Sequence, residues 1–138
     1  MSQENVEVVR AALAAWNVGN MDAVRALLDP DVILRPPEGW PEPGPYLGQE
    51  AVMREWGQVR ETWRADAVEP TSDFVDAADR VAVRVIWRTA GSGPESNIEL
   101  TVVWTTRNGR ISVIEYFWDH AEALEAVGLS EQDAHAGS

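Results

Sequence analysis

The side chains of this chain that could move a proton gather late in it, at Tyr116, Asp119 and His120. Asp119 opens the run Asp119-His120-Ala121-Glu122, and a carboxylate there has two possible occupations. Inside a pocket, with its pKa tuned by burial, it would serve acid–base chemistry on a carbonyl substrate. At the start of a final helix it would accept backbone N–H bonds while Glu122 reaches back, a capping box that explains the residue without any chemistry. His120 reads as a surface histidine, although an ordinary pKa of ~6.5 would make it a proton carrier if it faced a pocket. The Tyr116 hydroxyl is the best-placed hydrogen-bond donor to a bound ligand, or else a core tyrosine bonded to backbone. Arg35 and Glu38 stand where a first strand ends and could meet a polar group at a pocket mouth, or be ordinary surface charges. Glu99 and Glu115 form a tempting carboxylate pair, but both fall on the wetter face of their strands. Two histidines, His120 and His135, and no cysteine cannot assemble the usual metal sets. Gly91-Ser92-Gly93-Pro94 leads into a strand, whereas phosphate cradles lead into a helix. No metal and no other cofactor is expected.

Composition narrows the partners. At 138 residues the chain fits one domain, with 1–130 as the folded unit and 131–138 as a flexible tail. The net charge of −12 repels nucleic acid and anionic membranes alike. With no cysteine, no leader-like start and no apolar run near the ~20 residues that cross a bilayer, a cytoplasmic location is expected. Seven tryptophans against two phenylalanines is an unusual ratio. Each is either core filler or part of the wall around a ring-containing ligand.

The elements that position these residues follow from periodicity. Val6, Val9, Leu13 and Trp16 predict a helix over 3–18, capped by Ser2 and ended by Gly19. A shorter helix from Asn20 carries Met21, Val24, Leu27 and Leu28 and stops before Asp29-Pro30-Asp31; 32–35 reads as a strand. Five prolines between 36 and 48 make a stiff loop whose Trp40 and Tyr46 flank a pocket entrance or cover core edges. Val52, Trp56, Val59 and Trp63 predict a third helix over 49–63. Beyond it the period becomes two: a broken edge strand over 67–75, a turn over 76–79, and a strand over 80–89. After a 91–96 connection comes a hairpin, 98–106 and 110–118. Gly109 suits a three-residue bulged turn that pairs Thr106 with Arg110. Ile98, Leu100, Val102 and Trp104 then share a face with Ser112, Ile114, Tyr116 and Trp118. A last helix over 121–127 closes at Gly128, and 130–138 reads as a tail.

Three helices followed by antiparallel strands is an α+β order, in which a curved, antiparallel or mixed sheet wraps around the N-terminal helices. With Glu4-Asn5-Val6-Glu7-Val8-Val9-Arg10 in front, Leu28-Asp29-Pro30-Asp31-Val32 after the second helix, Tyr46-Leu47-Gly48 before the third, and Asn108-Gly109-Arg110-Ile111 leading to Trp118-Asp119-His120, the chain resembles the SnoaL-like branch of the nuclear transport factor-2-like superfamily. The resemblance covers 3–130. It implies a cystatin-like half-cone with a pocket between sheet and helices, and a homodimer in which Val103, Val113 and Phe117 on the outer sheet face need cover. It also implies a small-molecule reaction such as proton transfer or cyclisation, with Asp119 matching the acid–base aspartate of SnoaL-like cyclases. Relatives often carry a histidine or aspartate on the penultimate strand, where this chain has Val102. The expected ligand is small, apolar or ring-containing, enclosed by Trp40, Tyr46, Trp56, Val85, Trp87, Leu100, Val102, Trp104, Ile114, Tyr116 and Trp118, with Arg35 at the rim. The alternative is a non-catalytic dimerisation or interaction module whose tryptophans fill the cone.

Overall fold

A computed structural model describes residues 2–62, 64–89 and 97–128. The expected places of Trp63, the 91–96 connection and the 130–138 tail, with His135, lie outside the described residues, as does the side chain of Ser2. In chain order the elements are α1 (Ser2–Asn17), α2 (Met21–Ala26), β1 (Leu28–Arg35), β2 (Tyr46–Leu47), α3 (Gln49–Thr62), β3 (Ala65–Pro70), β4 (Val75–Ala77), β5 (Arg80–Thr89), β6 (Ile98–Arg107), β7 (Arg110–Phe117) and α4 (His120–Ala126). The strands form one mixed sheet in the order β2-β1-β7-β6-β5-β3, with β4 paired to β5 beside β3. β1 runs parallel to β7 and the other pairs are antiparallel.

The helical stripes bury themselves as their spacing demands. Val6, Val9, Leu13 and Trp16 of α1 and Val52, Trp56 and Val59 of α3 meet Val83, Val85, Trp87, Leu100, Val102, Trp104, Ile114 and Tyr116 from the inner face of the sheet. The described members of both expected helical stripes are thus buried. Asn17, at the end of α1, bonds both ways to the exposed backbone of edge strand β3, accepting from Val68 N at 2.7 Å and donating to Val68 O at 2.9 Å. That contact satisfies backbone groups a bare edge would leave open.

Three boundaries differ from expectation. Helix α2 ends at Ala26, and Leu28 already pairs with Ile111, so the Asp29-Pro30-Asp31 stretch lies within an irregular β1 whose register shifts before Ile33. Proline is tolerated where the ladder is interrupted. The proline-rich segment ends in β2, two residues long and too short to show any period, paired Leu34 to Tyr46. The edge over 65–77 splits into β3 and β4, and the turn shrinks to Ala78-Asp79.

The hairpin between β6 and β7 corrects the expected turn. Arg107, not Thr106, lies opposite Arg110. Asn108 at φ 55° and Gly109 at φ 77° both adopt the left-handed region, as a two-residue type I′ turn requires, because asparagine tolerates positive φ almost as glycine does. One residue of mismatch is then absorbed by a bulge at Ser112, beyond which Thr105 faces Val113, Trp104 faces Ile114 and Val102 faces Tyr116. The expected face assignment holds for Ile98, Leu100, Val102, Trp104, Ile114 and Tyr116, whereas Ile111 takes the core place expected of Ser112 and Trp118 does not turn inward.

The outer sheet face is partly roofed. Helix α4 packs Ala123 and Leu124 on Ala82 and Val103, with Val75, Phe117 and Val127 at the margin. Val103, expected to need a second copy to cover it, is fully buried by its own chain. Thr101, assigned to the wetter face, is buried there as well, its hydroxyl 2.9 Å from His120 Nδ1.

Candidate functional site

Helix α3 brings the one acidic group that the core encloses among the described residues. Its inward stripe is Val52, Glu55, Trp56 and Val59, so Glu55 occupies the i+3 place of an apolar pattern and is 6% exposed. Facing it is Trp40, which the proline loop turns inward until it is 7% exposed, and whose Nε1 donates to Glu55 Oε2 at 2.9 Å. Tyr46, just after the loop, donates its hydroxyl to the backbone oxygen of Glu42. On the sheet side Tyr116 is buried, and its hydroxyl accepts from Trp56 Nε1 at 2.9 Å, which leaves its own hydrogen to be donated.

Burial sets the electrostatics. Loss of water pushes the Glu55 carboxyl above the ordinary carboxylate range; the Trp40 N–H pulls it down and the nearby Glu42 charge pushes it up, and burial prevails. Burial raises the Tyr46 hydroxyl to about 12, with the Glu55 and Glu42 charges adding to it. Tyr116 is raised further, again chiefly by burial, so it stays a neutral donor at any physiological pH. A carboxyl poised toward the neutral form is the kind of group that can take part in acid–base work on a carbonyl compound.

Space lies in two places, one against Glu55 and one against Tyr116. A cleft of about 350 Å³ runs between the loop and α3, walled by Trp40, Pro41, Glu42, Glu55, Gln58, Val59 and Thr62. In the heart of the cone only about 30 Å³ remains, walled by Trp16, Trp56, Trp87, Val102, Trp104 and Tyr116 among others. That is room for a single water. The rest of the cone is filled by rings: Trp16 stacks on Trp87 with centroids 6.0 Å apart and meets Trp56 edge-on at 5.9 Å. Trp104 Nε1 is buried there without a hydrogen-bond partner among the described residues.

The expected site residues divide as follows. Trp56, Val85, Trp87, Leu100, Val102, Trp104, Ile114 and Tyr116 are together in the core, Trp40 closes its mouth, and Tyr46 is half-buried beside it. Trp118 is 45% exposed; β7 ends at Phe117, so the alternation that would have turned it inward has lapsed. It lies over Trp40 from outside and donates Nε1 to Glu38 O at 2.9 Å. Arg35 is exposed on the outer flank of the loop, beside Pro36, Pro37 and Glu38. Asp119 is exposed and caps α4, accepting from Ala121 N at 2.8 Å and Glu122 N at 3.4 Å. Glu99 is on the outer face, engaged by Arg84 at 3.6 Å and Thr71 at 2.9 Å. Glu55 was absent from the sequence reading, although its place on the stripe of Val52, Trp56 and Val59 was the signal that marks it. Among the described residues no group of three metal-ligating side chains occurs, and no helix is long and apolar enough to cross a membrane.

Comparisons with known proteins agree on the architecture. The model of the SnoaL-like domain matches residues 9–114. No curated protein matches the chain. Among solved structures, a cystatin-like-fold protein of unknown function from Methylobium petroleophilum superposes with a TM-score of 0.73 at 16% identity, over 86% of this chain and 77% of its own. A protein from Sinorhizobium meliloti provisionally assigned as a polyketide cyclase gives 0.65 at 26% identity, over 80% and 93%. TerC, co-crystallized with polyporic acid, gives 0.68 at 21% identity, over 91% and 98%.

Proposed function

Because the chain belongs to the SnoaL-like domain family, we propose that it binds a small, mostly apolar, ring-containing molecule at the aromatic mouth of its cone. The observation that carries this reading is Glu55, a buried carboxyl that meets Trp40 on one side and a 350 Å³ cleft on the other. A buried acid with no cationic partner among the described residues costs stability, and sites that retain one commonly use it. In this reading Glu55 exchanges a proton with an activated carbon of the ligand, and the neutral Tyr116 hydroxyl bonds the oxygen on which charge develops. Proton transfer or cyclisation is the reaction class this pair supports. Asp119 acts as a helix cap, and Val102 supplies wall where relatives often have a polar group. A fold neighbour assigned as a polyketide cyclase and another crystallized with an organic acid are consistent with small organic ligands. A cytoplasmic homodimer is the proposed working form.

The alternative, a filled cone acting as a non-catalytic interaction module, is favoured by the 30 Å³ left in the core. The two part on tryptophan fluorescence and melting temperature measured against polycyclic ketones, terpenoids and aromatic acids. We expect at least one class to shift both, and Glu55→Gln to bind the same compound while losing any turnover found. A panel without effect, or turnover undiminished in Glu55→Gln, would favour the interaction module or another acid.

A further inference from the structure

Trp40, from a segment that folds on itself, closes the mouth of the cone. Trp40 lies with its ring centroid 5.3 Å from Tyr116, 6.1 Å from Trp87 and 5.9 Å from Trp118, and it donates to the buried Glu55 carboxyl at 2.9 Å. Three aromatic walls and one acceptor are the elements of an aromatic binding site, and here an indole of the protein's own occupies it. The segment carrying that indole is braced internally. Its ends are joined by the Leu34–Tyr46 pair, Pro36 is packed so tightly on Gly44 that a Cβ there would come within 2.5 Å of Pro36 Cδ, and five prolines between 36 and 48 stiffen it. Its ties to the rest of the molecule include two side-chain bonds, Trp40 Nε1 to Glu55 and Trp118 Nε1 to Glu38 O. Trp87 and Tyr116, on which Trp40 rests, also wall the residual cavity beneath, together with the unpartnered Nε1 of Trp104.

We infer that Trp40 stands in for the ligand. The molecule this cone takes is a planar aromatic of about two fused rings with an N–H or O–H donor, which displaces Trp40, stacks among Tyr116, Trp87 and Trp118, and delivers its donor to Glu55. This rests on the reading of the cone as a small-molecule site and names the class it selects. It reconciles the packed core with a binding role: the volume exists but is occupied until the loop swings out. An acceptor atom at the ligand's inner end would meet Trp104.

Indole is the probe, with 1-methylindole, which lacks the donor, as its control. Removing the competing ring in Trp40→Ala should tighten indole binding at least tenfold over the wild type, because the free site no longer has to expel its occupant. In that variant 1-methylindole should bind about tenfold or more weakly than indole, the difference expected of a bond to a buried carboxyl group. In the wild-type chain, which needs no variant to fold, saturating indole should move the Trp40 Nε1–H nuclear magnetic resonance signal to a solvent-exposed position. The Trp56 Nε1–H signal should keep its bonded position. Indole that binds the variant more weakly than the wild type sits beside Trp40 in the α3 cleft; that overturns the displacement and leaves the small-molecule reading intact. Equal binding of 1-methylindole, or an unmoved Trp40 signal at saturation, also overturns it. If instead the ligand panel fails on the wild type while Trp40→Ala binds indole with the donor preference, the functional reading fails and the assignment of Trp40 as occupant stands.

Discussion

Replacing Glu55 by glutamine should convert a pH-dependent penalty into a constant. The carboxyl is held above the ordinary range because it is buried, so the folded chain keeps this proton to a higher pH than the unfolded chain does. The native state therefore binds more protons than the unfolded state between the two pKa values, and stability falls as pH rises through that window. The window opens near the unfolded value of ~4.3 and closes at the raised native value; one proton sets a steepest slope of about 1.4 kcal/mol per pH unit. Glutamine fills nearly the same space and keeps an oxygen for Trp40 Nε1, so Glu55→Gln should match the wild type at the acid end and gain on it with rising pH until the window closes. Urea unfolding followed by tryptophan fluorescence, run on both chains across that range, gives the difference directly and cancels the titration of the other acidic groups. Because burial is the leading cause, raising the salt should leave most of the slope in place, whereas a slope due mainly to Glu42 would be screened. Glu55→Ala differs: it orphans the Trp40 N–H and should lie about 1–3 kcal/mol below Glu55→Gln at every pH. A difference curve that is flat, or that falls as pH rises, would refute the burial argument and with it the case for Glu55 as a poised acid.

Other outcomes test the remaining parts. Asp119→Ala should lose roughly 0.5–2 kcal/mol of stability while Asp119→Asn loses almost none, since asparagine caps as well as aspartate; turnover lost in Asp119→Asn at unchanged melting temperature would make the residue catalytic. Trp104→Phe should cost less than Trp56→Phe by about 1–2 kcal/mol, because the first discards an unpartnered donor and the second breaks a bond and strands Tyr116; equal losses in denaturant melts would contradict that. Sedimentation at micromolar concentration should show about twice the chain mass, and a clean monomer across that range would sink the dimer. The exposed margins of Val113 and Phe117 are then what a partner has to cover, Val103 being already roofed by α4.

How far the sequence could be read depended on whether a residue's place followed from a repeating pattern. The stripes of α1 and α3 and the alternation of β5 and β6 repeat several times, and their core residues were legible one by one. Glu55 sits on such a stripe and was not singled out, because apolar spacing marks the hydrophobic members of a stripe and not an acid among them. Trp118 failed for a different reason: the alternation was extended one residue past the strand that enforces it. The proline loop has no period at all, so its stiffness was apparent while the inward turn of Trp40 and the short β2 were not. The family was legible from the order of elements and short motifs; the acid of the candidate site was not, since its evidence is a burial that only packing reveals.

The bulge at Ser112 gives β7 a residue in reserve. Thr106 faces Ile111 and Thr105 faces Val113, so Ser112 faces no residue of β6. A chain lacking it could zip into an unbroken ladder with every side chain beyond still pointing where it does now. A loss at 115 could likewise be made good by closing the bulge, at the cost of Val113 replacing Ile114 in the core but with Tyr116 still opposite Val102. The length of this hairpin is thereby uncoupled from the direction in which its terminal aromatics point. A one-residue loss that would reverse every side chain beyond it in a regular strand can here be absorbed without that reversal.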